Sequence, residues 1–343
     1  MPELRKDPIS NRWVIIATER GDRPTDFHME NIQPSDNSCS FCYGHESETP
    51  PEIVVISDKK REPNTPGWDV RVIPNKYKAL TLEGELNREG VGIFDKMNGI
   101  GTHEVIIESP DHNANLADMP VDHLSKILRI YKRRITDLYK DLRFRYILIF
   151  RNYGESAGAS LSHPHTQIIA TPTTPVSVKA ELDSAKNYYY NKERCIFCDI
   201  IKQELSFGDR IIFENDHFVS LTPFASRFPY EVTILPKRHM SDFSSISEDL
   251  IQSLAFTLKD TLSRIKIVLK NPAYNYLIHT VPNIQSWKRK SHYWETIDVD
   301  YHWHIEIIPR LTRIAGFEWG TGFYINQVLP EVAAQDLKDA LKY

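Results

Sequence analysis

Ser162-His163-Pro164-His165-Thr166-Gln167-Ile168-Ile169 in the first half of the chain has a counterpart in the second, Tyr301-His302-Trp303-His304-Ile305-Glu306-Ile307-Ile308. Working outward from these stretches, the resemblance continues. Cys39-x-x-Cys42 is matched by Cys195-x-x-Cys198, and Glu104 to His112 (EVIIESPDH) by Glu231 to His239 (EVTILPKRH). Tyr146-Ile147-Leu148-Ile149 likewise has a partner in Tyr274-Asn275-Tyr276-Leu277-Ile278. Landmarks recurring in the same order imply a duplicated domain. The duplication also separates residues that both halves need, such as metal ligands, from those that only one half needs, such as a nucleophile.

A chain of 343 residues accommodates two domains of ordinary size, expected at residues 1–172 and 173–343. With 41% hydrophobic and 26% charged residues the composition is that of a globular protein. A formal charge of −4 gives no electrostatic case for nucleic acid or an anionic membrane as partner. The opening MPELRKDPISNRW lacks an apolar core of signal-peptide length, and no segment approaches a membrane span. All four cysteines lie in the two C-x-x-C pairs. Neither pair reads as the strand-to-helix setting of a redox dithiol, so zinc in a reducing cytoplasm is expected.

Strands are expected at Trp13–Ile16, Val70–Ile73, Glu104–Glu108, Arg145–Phe150 and Thr166–Ala170, all rich in Ile, Val and aromatic residues. In the second half they fall at Phe218–Leu221, Glu231–Leu235, Asn275–His279 and His304–Ile308. One long helix per half follows the apolar stripes Leu124, Ile127, Leu128, Tyr131, Ile135, Leu138 and Leu250, Leu254, Leu258, Leu262, Ile265. Pro120 fits the start of the first helix. This order predicts an α+β fold of two tandem domains, each a mainly antiparallel sheet with one long helix and a structural zinc site. Thr171–Asn191 reads as the connector and residues 284–300 as a loop.

Two cysteines and two histidines make a closed tetrahedral zinc site with no position left for water. The phase-matched sets are Cys39, Cys42, His112 and His163, and Cys195, Cys198, His239 and His302. A lone histidine is more often a hydrogen-bonded core or surface residue, and recurrence in both halves is what favours ligation here. On a strand, His163, His165 and Gln167 share a face. A histidine nucleophile needs one ring nitrogen bare while a neighbour holds the proton on the other. Just upstream, Asn152 to Ser160 (NYGESAGAS) supplies small residues and backbone N–H groups suited to phosphate oxygens.

The pattern His165-Thr166-Gln167-Ile168-Ile169, preceded by His163, resembles the active-site motif of the galactose-1-phosphate uridylyltransferase branch of the histidine-triad (HIT) superfamily. That resemblance covers nearly the whole chain. It implies HIT-like domains, two zinc ions, a homodimer, and a ping-pong transfer of UMP from UDP-glucose to galactose 1-phosphate. His165 would be the nucleophile, Gln167 the donor to a non-bridging oxygen, and Ser160 a stabiliser of the transferring group. Arg20 and Arg23 resemble the family's phosphate-binding arginines, and Asn75 its uridine-side asparagine. Phe150, Asn152 and Gly158 match its nucleotide-contacting loop, while Phe317 and Glu318 resemble the segment reaching a sugar in the partner subunit. His304 lacks both the glutamine and the preceding loop, so the second half is expected to support the fold.

The sequence departs from the pattern in places. Thr166 stands where many uridylyltransferases have glycine, and Leu161-Ser162 where they have Asn-Pro. The second C-x-x-C replaces the carboxylate and histidines that some members use for their second metal. These departures, with Gly316-Phe317-Glu318-Trp319-Gly320-Thr321-Gly322, also resemble the ADP-glucose phosphorylases, which pass an adenylyl group to phosphate. Uridylyl transfer is the first expectation and adenylyl transfer the alternative. Nucleotide hydrolysis is disfavoured by Gln167, and a zinc-ribbon binding module by the lack of basic excess.

Overall fold

The computed structural model describes residues 1–19, 30, 32, 39–287 and 294–341. In chain order the strands are β1 (Glu3–Lys6), β2 (Trp13–Ile16), β3 (Val54–Ile56), β4 (Val70–Pro74), β5 (Glu89–Val91), β6 (Phe94–Lys96), β7 (Thr102–Ile107), β8 (Tyr146–Tyr153) and β9 (His165–Thr171). In the second half come β10 (Ile211–Glu214), β11 (Phe218–Leu221), β12 (Val232–Pro236), β13 (Tyr274–His279), β14 (His304–Pro309) and β15 (Tyr324–Asn326). The helices are α1 (Val121–Leu138), α2 (Val176–Lys192), α3 (Ile196–Phe207), α4 (Glu248–Val268), α5 (Ile297–Asp300), α6 (Gly316–Thr321) and α7 (Pro330–Asp339).

Ten strands form one sheet in the order β10-β11-β12-β14-β13-β8-β9-β7-β4-β3. Read from its centre outward, each half has the same arrangement, which is the duplication made visible. The halves meet where β8 pairs antiparallel with β13, setting Phe150 opposite Leu277 and Asn152 opposite Asn275. Outside this sheet, β1, β2 and β15 form a small one, so the N-terminal strands pack with the end of the chain.

The pleat divides the side chains between two faces. Ile147, Ile149, Ile168, Ala170, Ile234, Tyr276, Ile278, Ile305 and Ile307 bury against the stripes of α1 and α4 in one core spanning both halves. On the other face of the second half, Val178, Leu182, Ile196, Phe197, Ile201 and Ile297, from α2, α3 and α5, close over Val219, Leu221 and Leu235. Over the first half, among the described residues, that face carries a smaller cluster around Trp68, Ile73, Val105 and Ile107.

Two expectations are corrected. Thr171–Asn191, read as the connector, is mostly helical, since α2 occupies most of it. Its buried Val178, Leu182 and Ala185 recur at helical spacing, and Pro175, which looked like loop punctuation, is the N-cap. Within 284–300 lie a 3-10 turn at Ile284–Trp287 and α5, while residues 288–293 fall outside the described residues. Among the described residues no helix is long and apolar enough to cross a membrane.

Candidate active site and metal centres

The C-x-x-C and histidine sets expected from the sequence come together in space, each with its ligand atoms within 4.8 Å of one another. In the first set Cys39 Sγ lies 3.7 Å from Cys42 Sγ and 3.5 Å from His163 Nδ1. Cys42 Sγ lies 3.4 Å from His112 Nδ1 and 3.6 Å from His163 Nδ1. Zinc bonds of about 2.3 Å to sulfur and about 2.0–2.1 Å to nitrogen at tetrahedral angles require S···S near 3.8 Å and S···N near 3.6 Å. The donor set therefore fits zinc. The remaining ring nitrogens are engaged as ligand histidines require: His163 Nε2–H donates to the Ser109 carbonyl at 2.8 Å and His112 Nε2–H to Ser162 Oγ at 2.8 Å. Ser162, at a departure from the family pattern, thus orients a ligand.

The second set repeats this geometry. Cys198 Sγ lies 3.4 Å from His239 Nδ1 and 3.7 Å from His302 Nδ1. His302 Nε2–H donates to the Pro236 carbonyl and His239 Nε2–H to that of Asp298, at 2.8 and 2.9 Å. Cys195 is the N-cap of α3, and the helix α2 rather than a strand precedes it, so the pair lacks the strand-to-helix setting of a redox dithiol. The two imidazoles converging on the pair make it a ligand set instead. Zinc at either position would tie together segments distant in sequence.

His165 begins β9 and is 6% exposed. Its Nδ1 lies 2.8 Å from the His163 carbonyl. A carbonyl only accepts, so Nδ1 carries the proton and the neutral ring keeps its lone pair on Nε2. Burial pushes the imidazole pKa below its ordinary value, which favours this neutral form. His163 thus serves both sites, its ring among the zinc donors and its carbonyl fixing the tautomer of His165.

Gln167 pairs across the sheet with Phe150 and with Val105, placing Phe150 on its face. Asn152 Oδ1 accepts from Asn275 Nδ2 at 2.9 Å, and Asn275 also donates to the Ala157 carbonyl at 2.8 Å. The second half therefore holds the loop before β9, a role of Asn275 that the sequence reading missed. Gly154 turns that loop at φ +86°, where a Cβ would lie 2.6 Å from that of Ala273. Gly158 is left-handed as well, and Ser160 is exposed.

The expectation of an open N–H cradle is corrected for five positions. Glu155 and Ser156 donate to the Glu30 carboxylate at 2.8 and 2.7 Å, while Ala157, Gly158 and Ala159 donate to carbonyls within the loop. An anion reaching the first two groups would have to displace Glu30. Arg20 and Arg23 lie outside the described residues. Asn75 sits at the end of β4 and its amide faces His103 Nε2 at 3.1 Å. Phe317 and Glu318 lie in α6, with Phe317 44% exposed and packed on Phe323. No described hydrogen bond or ring contact joins α6 to β9 within the chain.

Beneath His165, on the helix-covered face, runs a buried chain of hydroxyls. Thr166 Oγ1 donates to Glu108, and since a carboxylate only accepts, the order is fixed back through Tyr131 to Tyr276. Tyr131 donates to Thr166 at 2.8 Å. Arg151 reaches Glu108 at 3.0 Å and the Tyr274 hydroxyl at 2.9 Å. Glu108 keeps Arg151 protonated despite burial. Thr166 is accommodated there because its hydroxyl is bonded on both sides.

The second half shows what the histidine site becomes when carboxylates surround it. His304 Nδ1 donates to the His302 carbonyl at 3.1 Å, repeating the His165 tautomer. Its Nε2, however, lies 4.0 Å from Glu181, which also pairs with His279 at 3.0 Å. Burial works against the imidazolium of His279, but Glu181 raises its pKa to about 9. Burial likewise opposes ionisation of Glu306, yet Arg227 and His279 hold its carboxyl down to about 2. A cavity of about 870 Å³ opens here, lined by Glu181, Glu231, His279, His304 and Glu306. Each of these carboxylates already has a partner, Glu181 in His279, and Glu231 and Glu306 in Arg227.

A buried histidine with a bare Nε2, two residues after a member of a donor set that fits zinc and followed on the same strand face by a glutamine, is the arrangement of the duplicated HIT type. Comparison with known proteins agrees. The family model described as galactose-1-phosphate uridyl transferase, N-terminal domain, matches residues 1–175, and a model described only as a domain of unknown function matches 100–342. The ADP-glucose phosphorylase of Arabidopsis thaliana is 39% identical, covering 98% of this chain and 93% of its own length. The galactose-1-phosphate uridylyltransferase of Thermotoga maritima is 31% identical over 99% and 98%. The crystal structure of the Arabidopsis thaliana ADP-glucose phosphorylase with bound ADP-glucose superposes with a TM-score of 0.84 at 37% identity, covering both chains fully. A uridylyltransferase structure gives 0.74 at 28% identity, again over all of both chains. The chain belongs to the galactose-1-phosphate uridylyltransferase family and is a nucleotidyltransferase.

Proposed function

We propose that the protein moves a nucleotidyl group from a nucleotide sugar to a phosphate-bearing acceptor through covalent attachment to His165. The observation that carries this reading is the His165 tautomer, with Nδ1–H held by the His163 carbonyl and Nε2 bare. In the first step Nε2 attacks the α-phosphorus, the bond to the bridging oxygen breaks, and sugar 1-phosphate leaves. In the second, an acceptor phosphate oxygen attacks the same phosphorus, the N–P bond breaks, and neutral His165 returns. The His163 carbonyl stabilises the positive ring formed in between. Gln167 donates to a non-bridging oxygen, with Ser160 near the transferring group. Phe150, Asn152, Gly158 and Asn75 flank the nucleotide, with Arg20 and Arg23 as phosphate partners. Zinc at Cys39, Cys42, His112 and His163, and at Cys195, Cys198, His239 and His302, is structural and keeps the start of β9 in place.

The first reading of the substrates is UDP-glucose and galactose 1-phosphate, supported by the family model and by the Thermotoga maritima relative. The second is ADP-glucose with phosphate as acceptor, favoured by the higher identity of the Arabidopsis thaliana enzyme. The exposed α6, with Phe317 and Glu318 making no described bond to β9, supports a homodimer in which each subunit lends this segment to the other, and four cysteines outside any disulfide support a cytoplasmic setting. The test is isotope exchange of labelled glucose 1-phosphate into UDP-glucose or ADP-glucose without acceptor. Exchange with one nucleotide sugar assigns the base, and absence of exchange with both refutes the two-step reading.

A further inference from the structure

His103, at the second position of β7, lies between two residues of the site. Its Nε2 is 2.8 Å from Gln167 Oε1 and 3.1 Å from Asn75 Nδ2, and its Nδ1 is 3.4 Å from the backbone nitrogen of Ala79. The Asn75 backbone N–H also donates to the His103 carbonyl at 2.8 Å. The Ala79 N–H can only donate, so Nδ1 accepts and the neutral ring carries its proton on Nε2. That proton goes to Gln167 Oε1. The Asn75 amide cannot take it, because its Oδ1 already accepts from the Tyr77 N–H at 2.8 Å, which turns its NH₂ toward the ring.

We infer that His103 is a positioning residue that ties back the oxygen of Gln167, so that the carboxamide presents its NH₂ group for a phosphoryl oxygen. Turning the amide over would set NH₂ against the Nε2–H of His103 and offer the phosphoryl group an oxygen in place of a donor. Preorganisation of this kind matters because a donor held in place needs no reorientation as charge develops. The Asn75 backbone N–H, donating to the His103 carbonyl, ties the nucleotide side of the site to the same residue. The inference rests on His165 and Gln167 acting as proposed above.

The test is a double-mutant cycle on the zinc-loaded protein, with melting temperature and zinc content measured alongside. His103→Phe is expected to lower kcat for transfer by roughly 10- to 100-fold, less than complete loss of a donor, with KM for the nucleotide sugar within about twofold. In a Gln167→Ala background the same change should cost less than about twofold, because the group it orients is gone. His103→Gln, whose amide can still donate to Oε1, should recover most of kcat and serves if the phenylalanine variant folds poorly. Unchanged kcat in His103→Phe, additive losses in the cycle, or no rescue by glutamine would each overturn the assignment. Failure of labelled exchange in the unaltered protein would instead remove the two-step reading beneath it.

Discussion

Replacing Thr166 by valine removes one hydroxyl, nearly isosterically, from the buried chain beneath the nucleophile. Two hydrogen bonds go with it, the one donated to Glu108 and the one accepted from Tyr131 at 2.8 Å. Glu108 keeps Arg151, whereas the Tyr131 hydroxyl still accepts from Tyr276 but loses the acceptor for its own proton. The cost should therefore fall in the ordinary range for a weakened buried polar network, about 2 kcal/mol. An unfolding entropy near 2.1 cal/mol/K per residue over 343 residues converts that to a fall of roughly 3 °C in Tm. Calorimetry at fixed zinc concentration measures it. Zinc content should stay constant, because Thr166 faces α1 while the ligands lie elsewhere, and Thr166→Ser should recover part of the loss. A valine variant melting within about 1 °C of the unaltered protein would refute the idea that the hydroxyl chain stabilises β9.

Two further outcomes follow from the paired halves. Cys42→Ala and Cys198→Ala should each remove one zinc equivalent by atomic emission and lower stability; equal loss of both ions in either variant would contradict two independent sites. The second concerns His279, which faces Glu181, His304, Glu306 and Arg227. Its pKa is raised to about 9, so its contribution is complete below the unfolded value near 6.5 and is lost as pH rises through 9. The size is on the order of 3 kcal/mol. Denaturant unfolding of His279→Gln should lack this decline between pH 6.5 and 9; an unchanged pH profile would refute the pairing.

Much of this architecture was legible because the chain states it twice. The recurrence of Cys-x-x-Cys, EVxI…H and HxH pointed to the two ligand sets, and the structure brings all eight residues together as two groups of four. The long helices α1 and α4 were visible as apolar stripes, since each has one face on the shared core. The helix α2 was hidden because its stripe is short and its outer positions are polar, while the prolines before it resembled a linker. His103, Glu108 and Asn275 were missed for another reason. Their importance depends on register, which sets His103 within reach of Gln167 and Asn275 opposite Asn152, and a sequence does not display which strands are neighbours. The Glu30 contact is equally non-local, joining a residue before the first cysteine pair to the loop at Glu155.

The central claim is that His165 becomes the carrier of the nucleotidyl group. Intact-protein mass spectrometry after brief incubation with UDP-glucose or ADP-glucose, in separate samples without acceptor, tests it directly. The account predicts an added nucleoside monophosphate from one of the two donors, mapped by peptide analysis to His165, absent in His165→Ala and discharged by adding an acceptor. An adduct on another residue, or a protein that turns over nucleotide sugar and acceptor while never carrying the nucleotidyl group, would contradict it.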